Sequence, residues 1–212
     1  MLELKALRFS YGEDDYQFDL SIDAHSTTAI MGKSGSGKST LLNLIAGFLK
    51  PSSGNIQWQK SSLLTLPAQR RPITTLFQQH NLFPHLTIHQ NLALGINPSL
   101  KLSKEQEQQL TNSLDAVGMT GMDGQSAHTL SGGEQQRVAL ARCLLRQKPI
   151  LLMDEPFSAL DEATRESMQA LTRETIKNNK LCAIIVTHSH NDAVALDAST
   201  CTLVDGRLSS LI

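Results

Sequence analysis

Residues 32–39 read Gly32-Lys33-Ser34-Gly35-Ser36-Gly37-Lys38-Ser39 and follow a short apolar run at 27–31. A G-x-x-x-x-G-K-[ST] loop between a strand and a helix fixes much of what can surround it. Its glycines let the backbone turn tightly enough for successive N–H groups to point inward at phosphate oxygens. The helix predicted next, over residues 41–48, adds about half a positive charge at its N-terminus. Lys38 has the length to reach β- and γ-phosphates. The Ser39 hydroxyl suits Mg²⁺, a hard cation that takes oxygen ligands. Residues 32–40, ending at Thr40, are therefore read as the binding loop for a nucleoside triphosphate, with ATP expected. The loop alone does not separate kinases, GTPases, helicases and transport ATPases.

Hydrophobic patterning supplies the surroundings. Residues 2–7 and 18–22 alternate apolar and polar side chains, as half-buried strands do. Strands are also predicted at 27–31, 55–59, 73–77, 150–153, 182–186 and 200–204, and helices at 104–117 and 162–177. Strands alternating with helices predict an α/β fold with a mainly parallel sheet. Residues 86–146 are helical in texture and read as an insertion between early and late strands. The 212 residues form one domain in this reading.

Two further segments carry chemistry. Ile150-Leu151-Leu152-Met153-Asp154-Glu155 is an apolar strand ending in two carboxylates. Asp154 is suited to the Mg²⁺ shell, and Glu155 to a general base acting on water. Leu130-Ser131-Gly132-Gly133-Glu134-Gln135-Gln136-Arg137 is a Ser-Gly-Gly turn opening a helix. Such a turn can cap the helix or bind an anion.

These segments, in this order, resemble the ATP-binding-cassette (ABC) ATPases, and the resemblance covers nearly the whole chain. It implies a P-loop core with an antiparallel β-subdomain and an α-helical signature subdomain. By the same resemblance Tyr11 stacks on adenine, Gln78 is the Q-loop glutamine near the metal, and Asp161, in Ser158-Ala159-Leu160-Asp161, belongs to the D-loop. His188, after Ile184-Ile185-Val186-Thr187, is the switch histidine. Catalysis would fall to Glu155, His188 and Gln78, with Mg²⁺ on Ser39, Gln78 and Asp154. Ser131, Gly132, Gly133 and Gln135 would close on the γ-phosphate held by a second copy of the chain, making an ATP sandwich. Lys33 departs from many relatives, which carry Pro there.

Bulk properties bear on partners. The net charge is −1 and gives no overall positive field, so nucleic acid is not expected. No apolar run approaches the roughly 18 residues of a spanning helix. Residues 1–5 lack the pattern of a secretory signal. Cys143, Cys182 and Cys201 are odd in number and widely spaced, and read as reduced, buried thiols. A membrane role would thus run through partners: integral permease subunits, and indirectly a periplasmic substrate-binding protein. The expected location is peripheral, on the cytoplasmic face of a bacterial inner membrane. Residues 79–86 are expected to border the groove that receives a permease helix. The chain stops soon after the 200–204 strand, so no C-terminal regulatory domain is expected.

Cargo is the least legible property. Residues 41–49, Arg70-Arg71-Pro72, residues 91–98 and Ala141-Arg142-Cys143-Leu144 are similar to cassettes of bacterial thiamine importers. Importers of iron(III), polyamines or molybdate are the alternatives.

Overall fold

Two patterns of side chains give two kinds of strand in the computed structural model, which describes residues 1–12, 14–77 and 81–209. β1 (Leu2–Tyr11) and β2 (Asp14–Ile22) alternate and bury Leu2, Leu4, Leu7, Phe18, Leu20 and Ile22 on one side. They pair antiparallel, and β4 (Ser53–Trp58) and β5 (Ser61–Ser62) extend the same antiparallel block. β3 (Thr27–Met31), β7 (Ile150–Asp154) and β8 (Cys182–Thr187) are nearly all buried, as parallel strands between helices must be. With β6 (Ile73–Leu76) and β9 (Ser199–Val204) they form the parallel block. β10 (Arg207–Leu208) turns back on β9 and pairs once with β2, joining the blocks. Among the described residues the order is β5-β4-β1-β2-β10-β9-β3-β8-β7-β6.

The helices divide in the same way. α1 (Lys38–Ala46) begins inside the phosphate loop and packs on β6 and β7. α2 (Ile88–Ile96), α3 (Lys104–Ala116) and α4 (Gly132–Leu145) build a core of their own from Ile88, Leu92, Leu110, Leu114 and Val138, among others. Each of the three opens on a complete capping box: Thr87 with Gln90, Ser103 with Gln106, Ser131 with Glu134. Each box satisfies two N–H groups that the helix itself cannot. α5 (Glu162–Asn178) connects β7 to β8, and α6 (His190–Ala195) connects β8 to β9.

The expected strands and helices are present with shifted ends. α1 starts at Lys38 rather than 41, directly after the left-handed N-cap Gly37. β1 runs on to Tyr11 because cross-strand pairing with β2 continues past its apolar residues. β5, α6 and β10 were not anticipated, being too short to carry a period. Arg71 is a structural cation. Buried, it donates from its Nη1 to the carbonyls of Leu44 (2.8 Å) and Ile45 (2.6 Å), the last turn of α1. A cation there offsets the negative end of the helix. Burial lowers the Arg71 pKa. The three cysteines are free and buried. Burial pushes the Cys182 thiol up to about 12 and Cys201 up to about 11, which keeps both as unreactive thiols. Among the described residues no helix is long and apolar enough to cross a membrane.

Candidate nucleotide site

Strand register decides where the chemistry emerges. Met31 of β3 pairs with Thr187 of β8, and Val186 of β8 pairs with Asp154 of β7. The residues that follow these strands, Gly32, His188 and Glu155, therefore leave the sheet along one carboxyl edge, the usual ligand-binding edge of an open α/β sheet.

At that edge the loop is closely packed. Gly37 has φ +99°, and a Cβ there would lie 2.4 Å from a Tyr16 ring carbon. A Cβ on Gly32 would lie 2.5 Å from the Leu203 carbonyl oxygen and 2.7 Å from Ser36 Oγ. Only glycine fits either position. Lys38, 6 % exposed, folds back and donates to the carbonyls of Gly32 and Lys33, both at 2.8 Å. Its ammonium has three donors, so one stays available. Gly37 brings no side-chain oxygen to the start of α1, and the first turn holds no acidic residue. Ser36 Oγ is buried without a hydrogen-bond partner. An uncapped helix start, an ammonium and an orphan hydroxyl together fit an anion with several oxygens.

Beside the loop, the Ser39 side chain neighbours Asp154. Burial raises the Asp154 pKa, the Ser39 hydroxyl and Lys38 oppose this, and Glu155 adds to it. A carboxylate and a hydroxyl facing each other in a half-buried place make an oxygen donor set, which matches Mg²⁺. Glu155 is held by its backbone: φ is +44°, and its N–H donates to the Val186 carbonyl at 2.9 Å. Its carboxylate oxygen lies 3.6 Å from His188 Nδ1, and His188 is largely exposed.

The signature residues sit elsewhere. Ser131 caps α4 through Glu134, whose carboxylate accepts from the Ser131 N–H (2.8 Å) and hydroxyl (2.7 Å). Those bonds lower the Glu134 pKa. Gln135 donates to the Leu130 carbonyl at 3.1 Å. Ser131 and Gly132 are exposed, and a Cβ on Gly132 would meet nothing within 4 Å. α4 packs on α2, α3, α5 and β6, whereas α1 packs on β6 and β7. The two glycine-rich turns thus open different helices, which share only β6 among these neighbours. Asp161 caps α5, accepting from Thr164 N (3.1 Å) and Oγ1 (2.7 Å), bonds that lower its pKa. The Thr164 methyl packs against Gly133, where a Cβ would be 2.5 Å away.

Tyr11 is exposed at the tip of the β1–β2 hairpin, free to stack on a planar ring. Gln78 lies outside the described residues. Asn81 accepts from Phe77 N (2.8 Å) and donates to Phe77 O (2.5 Å). Two residues at this edge carry no motif in the sequence: Tyr16, which packs against Gly37, and Asp192, which bonds the Thr187 hydroxyl. Tyr16 was visible in principle, since Tyr16 and Phe18 are two apart on β2 and stacked at 6.1 Å.

Residues 16–158, more than half of the chain, match the family model described as ABC transporter. The chain belongs to the ABC transporter ATPases. Members of the family bind ATP, and their ATPase activity drives transport. The chain is 46% identical over 217 residues to the thiamine import ATP-binding protein ThiQ of Aliivibrio fischeri, covering 100% of this chain and 93% of that one. It is 44% identical over 209 residues to the ThiQ of Escherichia coli K12, covering 99% and 90%. Among solved structures, the ADP conformation of MJ1267, an ATP-binding cassette of an ABC transporter, superposes with TM-score 0.89 at 21% identity over 99% of this chain and 89% of that chain, a likeness of fold. The dimeric structure of MJ0796, a bacterial ABC transporter cassette, superposes with TM-score 0.82 at 29% identity over 100% and 98%.

Within the ABC fold the segments similar to thiamine-importer cassettes have structural roles. A Cβ on Gly95 would lie 2.9 Å from Arg142 Cγ, so glycine lets α2 cross α4 closely. Asn91, fully buried, accepts from Phe83 N (2.7 Å) and donates to the carbonyls of Phe83 and Thr87, both 3.0 Å, which fixes the loop before α2. Phe48, Phe77 and Phe83, all exposed, line a groove of about 490 Å³ with Leu94, Gly95, Arg142 and Arg146.

Proposed function

We propose that this chain is the ATP-hydrolysing subunit of a bacterial importer whose cargo is thiamine or its phosphates. The observation that carries the reaction is the adjacency of Glu155 and His188 at 3.6 Å, on the sheet edge where the phosphate loop begins. The support for the cargo is the whole-chain similarity to two proteins named for thiamine import.

In this reading Lys38 and the N–H groups of residues 32–40 hold the phosphates of ATP, and Tyr11 holds the adenine. Ser39, Asp154 and Gln78 hold Mg²⁺. When bound, the metal neutralises charge on the phosphate oxygens. Glu155 takes a proton from the attacking water, and His188 holds the γ-phosphate and that water in line. Positioning and charge neutralisation carry most of the rate, since phosphoryl transfer asks little covalent chemistry of a protein. Ser131, Gly132, Gly133 and Gln135 of a second copy complete the site, with Asp161 at the seam. The exposed Gly132 and the dimeric cassette of similar fold support closure between copies. The permease partner spans the membrane, and this chain works on its cytoplasmic face. Residues 86–146 serve as the helical signature part of a single nucleotide-binding domain.

The direct test is uptake of labelled thiamine in cells lacking this chain, with the co-purifying membrane protein identified. Loss of uptake, restored by the chain, is expected. Normal uptake would remove the cargo assignment and leave the ATPase assignment standing. The aromatic groove suits an apolar helix from the permease. Phe83→Asp is expected to cut uptake by roughly tenfold or more, as loss of an aromatic anchor does, while the isolated chain still hydrolyses ATP. Unchanged uptake in membrane vesicles would move the docking site elsewhere.

A further inference from the structure

We propose that Asp192 is a positioning residue for His188, acting through the Thr187 hydroxyl, and that Arg165 and Gln169 hold Asp192 in that position. The proposal rests on the assignment of His188 under Proposed function.

Asp192 is 2 % exposed and uses its two oxygens for different purposes. Oδ1 accepts from Arg165 Nε (3.0 Å), Arg165 Nη2 (2.9 Å) and Gln169 Nε2 (2.8 Å). Oδ2 accepts from the Thr187 hydroxyl at 2.6 Å. That hydroxyl in turn accepts from the Ser189 N–H at 3.0 Å. Thr187 immediately precedes His188 and Ser189 immediately follows it. One buried hydroxyl therefore pins both chain neighbours of the histidine, and Asp192 orients that hydroxyl. His188 is 63 % exposed on its side chain. Apart from the Glu155 carboxylate 3.6 Å from Nδ1, its backbone fixes where the ring stands.

The helix start makes the arrangement specific. Ser189 is the N-cap of α6, and its side chain makes no capping bond. Asp192 is the third helical residue, where an acidic side chain ordinarily reaches back to the N-cap N–H. Here Thr187 takes that N–H instead, and the Asp192 carboxylate is turned to Thr187 and to α5. A buried ion pair is weak evidence for stability, because desolvation offsets its attraction. A geometric role explains its presence better. Arg165 and Gln169 are four apart and share one face of α5. The residue before Arg165 is Thr164, whose methyl packs on Gly133. Further along the same helix, Ser167 accepts from Arg137 Nη2 of α4 at 2.7 Å. The first two turns of α5 thus brace the histidine loop and the signature helix together.

The test uses the full chain with MgATP. Thr187→Val keeps the shape and removes the hydroxyl; Thr187→Ser keeps the hydroxyl. Thr187→Val is expected to lower kcat about 10- to 100-fold, the range for a reacting group misplaced by an ångström, with the KM for ATP changed less than about twofold. Thr187→Ser is expected to restore most of it. In a His188→Ala background, Thr187→Val should lower kcat no further, since residues acting through one group are non-additive. Arg165→Ala, at a partly exposed position, should repeat the pattern, which guards against a Thr187→Val chain that fails to fold. Normal turnover by His188→Ala would overturn the reading of His188 itself. A slow His188→Ala beside a normal Thr187→Val and Arg165→Ala, or equal losses in both backgrounds, would overturn the positioning role alone.

Discussion

Glu155→Gln is expected to lower steady-state ATP hydrolysis by about 10²- to 10⁴-fold, the usual contribution of a general base. Gln keeps the length and hydrogen-bonding capacity of the side chain and loses its basic oxygen. The backbone restraints on residue 155, φ +44° and the bond to the Val186 carbonyl, do not involve the carboxylate. Any strain they store is common to both proteins, so the difference in rate reports chemistry rather than folding. ATP binding should survive, because the phosphate contacts come from Lys38 and loop N–H groups. An ATP-bound dimer should then accumulate, visible by gel filtration with ATP and Mg²⁺. Near-normal phosphate release by the variant would sink the base assignment.

Lys38→Met is expected to weaken ATP binding by roughly 10- to 100-fold for each charge-assisted hydrogen bond lost, at about 1.5–3 kcal/mol a bond. Met nearly preserves volume at a position only 6 % exposed, so packing around β3 and α1 should hold. A second loss accompanies the first. The Gly32 and Lys33 carbonyls, both 2.8 Å from the ammonium, lose their common donor, and the loop loses the strut that keeps its shape before ligand arrives. Titration with a fluorescent ATP analogue measures the combined effect. Unaltered affinity would remove Lys38 from the phosphate site.

What was legible in the sequence is what depends on near neighbours. The largely apolar runs of β7 and β8 and the alternation in β1 and β2 report burial directly. The phosphate loop, Asp154, Glu155 and His188 were legible as strand ends. Register then brings those ends to one edge, which no local pattern states. The roles of Arg71 and Asp192 were hidden for a different reason. Arg71 meets Leu44 and Ile45, and Arg165 meets Asp192, across 26 or 27 residues of chain. A charged residue looks solvated until the fold supplies its partner. Three capping boxes are also written in the sequence: Thr87-x-x-Gln90, Ser103-x-x-Gln106 and Ser131-x-x-Glu134 mark the helix starts to the residue. They sharpen the broad helical reading of residues 86–146.

α4 has one more consequence. It is a single helix of 14 residues, about 21 Å long. Ser131 caps one end, while Arg142 and Cys143 near the other line the aromatic groove. A helix of hydrogen-bonded turns resists compression, so it behaves as a rigid rod. Force applied at the groove and force applied at the Ser-Gly-Gly turn act on the two ends of the same rod. With the membrane partner docked in that groove as proposed, its stroke and the closing of the nucleotide site would be one mechanical displacement, transmitted without an intermediate part.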